Sequence, residues 1–175
     1  MKKNQAKKGF TLIEVLVALS LLLIIFGAVI SLAILINESE KSSKNNLVAA
    51  YLAKEGLELV HYARDNNYII NNPAFTNIAD ENEDGSKISF IVDFNGLISK
   101  TDTSDVKQVE ALKNDNGYYF YKGKNNSIFK RLVTTTYHKS SESSSAYIDV
   151  KVEVYWQEDT KQNIYTLESQ LTDWR

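Results

Sequence analysis

The chain has 175 residues, 43% of them hydrophobic, with 20 Lys+Arg against 22 Asp+Glu and a formal net charge of -2. That length suits one ordinary domain beside a membrane segment, and the charge balance lacks the excess of cations with which a nucleic-acid binder neutralises phosphates. With no cysteine in the chain, a disulfide framework, a thiolate metal site and a cysteine nucleophile are all excluded.

The first nine residues are basic, carrying Lys2, Lys3, Lys7 and Lys8. From Val15 to Ile36 there is no charge, and only Ser20, Gly27 and Ser31 interrupt a run of Leu, Ile, Val, Ala and Phe. About 22 residues at 1.5 Å each span about 33 Å, the thickness of a bilayer core. The remaining chain is too small to cover such a helix on every side, which argues against a buried helix of a soluble protein. An ordinary secretory signal is also disfavoured, because the run exceeds an h-region of about 7 to 15 residues and ends in Ile34-Leu35-Ile36-Asn37-Glu38-Ser39 rather than small-x-small. By the positive-inside rule the basic leader stays in the cytoplasm and everything after Asn37 is translocated.

Two residues at the start of this segment are chemically out of place. Glu14 is an acid at the edge of a stretch built for hydrocarbon, where an unpaired carboxylate costs about 3 kcal/mol. Gly9 leaves the backbone accessible just before the helix begins. Together, Lys7-Lys8-Gly9-Phe10-Thr11-Leu12-Ile13-Glu14 resembles the processing signal of the type IV prepilins and pseudopilins. The resemblance implies cutting between Gly9 and Phe10 by the prepilin peptidase, a membrane aspartyl protease, and N-methylation of Phe10. It also implies that Glu14 meets the N-terminal amine of a neighbouring subunit during assembly, which would compensate the stranded carboxylate. The partners it implies are prepilin peptidase, other pilin subunits in a filament, the inner-membrane assembly machinery and the lipid bilayer.

Beyond the bilayer, Asn37 to Asn45 is polar and free of proline and glycine, so the helix is expected to continue. A helical wheel then gathers Val48, Ala49, Leu52, Ala53, Gly56, Leu59, Val60 and Ala63 on one arc, with Lys54, Glu55, Glu58, His61 and Asp65 outside it. Past Asn67 the period changes to two. Ile88, Phe90, Val92 and Phe94 alternate with Ser89, Ile91 and Asp93, and Ala146, Ile148, Val150, Val152, Val154 and Trp156 alternate with Tyr147, Asp149, Lys151, Glu153, Tyr155 and Gln157, the strongest strand pattern in the chain. Gly117 to Tyr121 and Phe129 to Tyr137 read as further strands around a loop at Gly123. A polar link from Glu158 to Gln162 leads to a returning strand from Asn163 to Thr172, hence an antiparallel hairpin.

The expected fold is α+β: a long N-terminal helix, its first half transmembrane, packed against a C-terminal antiparallel β-sheet. Its parts are a leader at 1–9, a transmembrane helix at 10–36, an amphipathic continuation at 37–68 and a head at 69–175. This order is similar to that of pilins, and the strand Val152-Glu153-Val154-Tyr155-Trp156 with the terminal Leu171-Thr172-Asp173-Trp174-Arg175 resembles minor pilins of the PilV type and I-type minor pseudopilins. The chain departs from many major pilins in having neither a C-terminal disulfide nor a proline in its apolar span, the only proline being Pro73.

Other chemistry is sparse. His61 and His138 both fall on polar faces and read as solvated. No hydrolase, nucleotide or zinc motif is present, so no catalytic, cofactor-binding or metal residue is assigned. Ser140 to Ser145 reads as a loop, and Asn125-Asn126-Ser127 matches a short glycosylation pattern. Asp80, Asn82 and Asp84 before Gly85 match the first half of a calcium loop, but the twelfth position is Ile91 rather than a bidentate glutamate; a solvated acidic turn is the favoured reading. The function expected is a structural, minor subunit of a type IV pilus, a competence pilus or a secretion pseudopilus, a single-pass inner-membrane protein with an exterior head. The alternative is a membrane-anchored binding module that never polymerises.

Overall fold

The structure is a computed structural model that describes residues 9–93, 98–121, 125–141 and 145–173. The basic leader, Phe94, Gly123, the middle of the serine stretch, Trp174 and Arg175 lie outside them. The chain divides into two units, one ending at Lys44 and the other starting at Asn45.

A single helix, α1, runs from Leu12 to Ile69, 58 residues. Thr11 caps its start: the Glu14 N–H donates to Thr11 Oγ1 at 3.4 Å and the Val15 N–H to the Thr11 carbonyl at 3.2 Å. Within the apolar run the hydroxyls of Ser20 and Ser31 donate back to the carbonyls of Val17 and Gly27, at 2.8 and 3.0 Å. Both donors are thus satisfied inside the helix, which makes them tolerable in hydrocarbon. The far end is closed by a Schellman motif. Asn71 takes the left-handed conformation (φ 57°), its N–H donates to the Tyr68 carbonyl, and the Asn72 N–H donates to Asn67 O at 2.8 Å. Pro73 then prevents any continuation.

In the second unit, seven strands among the described residues form one antiparallel sheet: β1 Lys87–Val92, β2 Ile98–Thr101, β3 Ala111–Asp115, β4 Tyr118–Phe120, β5 Asn126–His138, β6 Tyr147–Glu158 and β7 Lys161–Thr172. β5 is the spine. One of its edges carries β3 beside its beginning and β1 further along, while the other pairs with β6 from Lys130↔Tyr155 to His138↔Tyr147. β2 and β4 extend the sheet beyond β1 and β3, and β7 beyond β6.

Two turns depart from expectation. Gly117 belongs to a turn rather than a strand, because Asn116 and Gly117 both have positive φ (52° and 90°) and join β3 to β4 as a two-residue hairpin. The link between β6 and β7 is also tighter than expected. Glu158 pairs with Lys161, leaving only Asp159 and Thr160 to turn, with Asp159 at φ 50°.

Alternation along the strands gives the sheet two faces. Phe129, Val133, Ile148, Val150, Val152, Val154 and Trp156 share one core with Ala49, Leu52, Ala53 and Val60 of α1. Small residues permit this approach: a Cβ on Gly56 would lie 3.0 Å from Val152 Cγ1. Ala74, Phe75, Ile78 and Ala79, in the turns after α1, complete the core. Trp156 is 1% exposed and its indole N–H donates to Glu158 Oε1 at 2.9 Å, an oxygen that also accepts from Asn45 Nδ2 at 2.7 Å. On the opposite face Val106 and Val109, from the β2–β3 connection, cover Leu132 and Tyr155.

Candidate functional site at the helix N-terminus

Gly9 and Phe10 precede the helix and Glu14 stands in its first turn, so the three expected site residues occupy one short stretch of chain. Phe10 is 82% exposed. An added Cβ on Gly9 would meet nothing within 4 Å, and its backbone is not left-handed. Folding therefore places no demand for glycine at this position. At Glu14 the local bond is made by the backbone N–H, which donates to Thr11 Oγ1. Thr11-Leu12-Ile13-Glu14 has the spacing of a capping box, and an acid in the first turn also complements the positive end of the helix dipole. The signal was legible as Thr three residues before Glu.

Behind this stretch, the large apolar residues from Val15 to Ile36 are all exposed. Among the described residues, α1 is the one helix long and apolar enough to cross a membrane. Residues 4–30 match the family model of the prokaryotic N-terminal methylation motif. The chain carries the N-terminal signal of the type IV pilins and pseudopilins. This prepilin-type match ends within the apolar helix, so the head is known from its own geometry alone. No curated protein and no solved structure is significantly similar to the chain.

In the head the other expected positions resolve as structural groups. Asp80 Oδ1 accepts from the backbone N–H and side-chain amide of Asn82 at 3.2 and 2.7 Å, and Asp84 Oδ1 accepts from the Lys139 N–H at 2.8 Å. Among the described residues no group of three His, Asp or Glu is placed to hold a metal ion. His138, expected to be merely solvated, lies 2.9 Å from Asp149 Oδ2 and stacks on Tyr147 with ring centroids 4.5 Å apart.

The largest departure from the sequence reading is a polar group inside the core. Arg131 is fully buried; its Nη1 donates to the Leu52 carbonyl of α1 at 2.9 Å and its Nη2 to the Val92 carbonyl of β1 at 2.6 Å. Glu55, expected outside the packed arc, sits 3.5 Å from Arg131 Nη1. Tyr121 donates to the Arg131 carbonyl at 2.9 Å, and burial pushes its phenol up to about 12. Arg131 was legible in principle, since it alternates inward with Phe129 and Val133, but its charge suggested the opposite.

Proposed function

We propose that the chain is a prepilin cut between Gly9 and Phe10, methylated on the Phe10 amine, and assembled through Glu14 into a filament as a minor structural subunit. The observation that carries this reading is Gly9. It lies inside the matched motif, and the fold offers no reason for a glycine there. A protease that must reach the backbone supplies one. Before assembly the precursor is a single-pass inner-membrane protein with its leader in the cytoplasm and its head outside. After assembly it belongs to a periplasmic or cell-surface filament, serving a pilus, a competence system or a secretion system. Prepilin peptidase, other pilins and the inner-membrane assembly machinery are its partners, and the role is structural rather than enzymatic.

Mass spectrometry of the protein from its own host tests the processing step. Cutting removes four lysines and no acid, taking the formal charge from -2 to -6. The mature chain should begin at N-methylated Phe10; assembled protein that still begins at Met1 would overturn the reading. A non-polymerising membrane anchor is the second reading, favoured by the place of Glu14 in the first turn, where an acid complements the positive end of its own helix dipole.

A further inference from the structure

Helix α1 begins at Leu12, and the residue that fixes this boundary is Thr11. Its Oγ1 accepts the Glu14 N–H at 3.4 Å and its carbonyl accepts the Val15 N–H at 3.2 Å, the two bonds of an N-cap. Gly9 and Phe10 therefore stand outside the helix, both exposed. The neighbouring residues make the boundary movable. Phenylalanine is a poor cap, whereas glycine caps about as well as threonine, and an alanine in place of Thr11 would be at home inside a helix. Without an acceptor at residue 11, α1 gains by starting from Gly9, two residues earlier. In that register the Gly9 carbonyl accepts the Ile13 N–H and the Phe10 carbonyl accepts the Glu14 N–H. The Gly9–Phe10 peptide then belongs to the first turn, with its oxygen already occupied. A protease polarises the carbonyl it attacks with donors of its own, so an oxygen held within a helix is shielded from it. Where a helix end meets hydrocarbon, unsatisfied backbone donors cost more than in water, which sharpens the dependence of α1 on its cap.

We propose that Thr11 is a positioning residue for the cut after Gly9, a role that rests on the prepilin reading above: its cap holds the helix start at Leu12 and keeps the Gly9–Phe10 peptide where a peptidase can take it. In the cut, one water adds its hydroxyl to the Gly9 carbonyl carbon and its proton to the Phe10 nitrogen, so the leader leaves as a carboxylic acid and the mature chain gains an amine. Thr11 touches neither reacting atom. It acts on the fraction of precursor whose peptide lies outside the helix, and a smaller competent fraction weakens apparent binding without slowing the step that follows. The effect of losing the cap therefore belongs in KM rather than in kcat.

Full-length precursor in detergent is incubated with prepilin peptidase, and release of the leader is followed by mass spectrometry over a range of precursor concentrations. Thr11→Ala and Thr11→Val should raise KM about fivefold, the factor to which one lost cap corresponds, with kcat unchanged. Thr11→Ser and Thr11→Asn keep a capping oxygen while sharing little else, and both should be cut like wild type. A peptidase that read the threonine methyl instead would accept valine and reject asparagine. Amide exchange of the same precursors supplies a second measure that needs no peptidase: the Ile13 N–H should be better protected in Thr11→Ala than in wild type, because it then donates to the Gly9 carbonyl. Wild-type kinetics in both Thr11→Ala and Thr11→Val, the methyl-reading order of valine over asparagine, or equal Ile13 exchange in Thr11→Ala and wild type would overturn the positioning role and leave the cut itself standing. A wild-type chain left uncut after Gly9 would overturn both.

Discussion

An isolated glycine is informative when its neighbours leave room for a side chain. At Gly56 they do not, since an added Cβ would press on Val152 and on the Arg131 stem at 3.0 Å, so packing accounts for that residue. At Gly9 nothing lies within 4 Å, and packing accounts for nothing. The two glycines therefore separate by experiment. Gly9→Leu should leave the head's unfolding midpoint unchanged while uncut precursor accumulates in the membrane fraction of the native host. Cleavage of Gly9→Leu at the wild-type rate, read by blotting against the precursor, would remove the recognition role assigned to the glycine.

At the scale of elements, helix α1 depends on its ends as well as its faces. Asn71 holds the left-handed position of the terminal Schellman motif, where an alanine is strained by about 1 to 2 kcal/mol and glycine is at ease. Asn71→Ala should lower the head's stability by about that amount, and Asn71→Gly should be neutral or slightly stabilising, both read from denaturant unfolding. Equal effects of the two would show that the backbone conformation is not what Asn71 contributes.

The same scale shows what the sequence made legible. Strands β5 and β6 announced themselves because inward burial at every second residue runs from Phe129 to Tyr137 and from Ile148 to Trp156, interrupted where Leu132 and Tyr155 are buried on the other face as well. β2 and β3 did not, because short, partly exposed strands carry little alternation; the Asn116-Gly117 turn was the better marker of β3. Phe75 and Ile78 fill the core from irregular turns, where no period exists to read. The N-terminal methylation motif was readable because its residues are local in sequence. The Arg131 cluster was not, because the Leu52 and Val92 carbonyls that accept from it are brought together only by the fold.

The whole molecule joins a membrane-compatible helix to a head that holds its own core, and the proposed function gives each part a separate duty. Two substitutions should therefore fail in opposite ways. Trp156→Ala empties the place of the largest fully buried side chain and should destabilise the head by about 3 to 5 kcal/mol, seen as faster proteolysis, while cutting after Gly9 proceeds normally. Glu14→Gln leaves the head untouched and keeps the backbone N–H that donates to Thr11 Oγ1, so helix formation and processing should survive. What glutamine lacks is the negative charge. If Glu14 pairs with the Phe10 amine of a neighbouring subunit, that amine would enter an apolar bundle without a counter-charge, and incorporation into filaments should fall sharply. Shearing filaments from native-host cells and blotting both the sheared and membrane fractions measures this directly. Processed Glu14→Gln retained in the membrane favours the filament subunit, whereas incorporation equal to wild type would reduce Glu14 to an acid at the positive end of its helix dipole and leave the membrane anchor as the better reading.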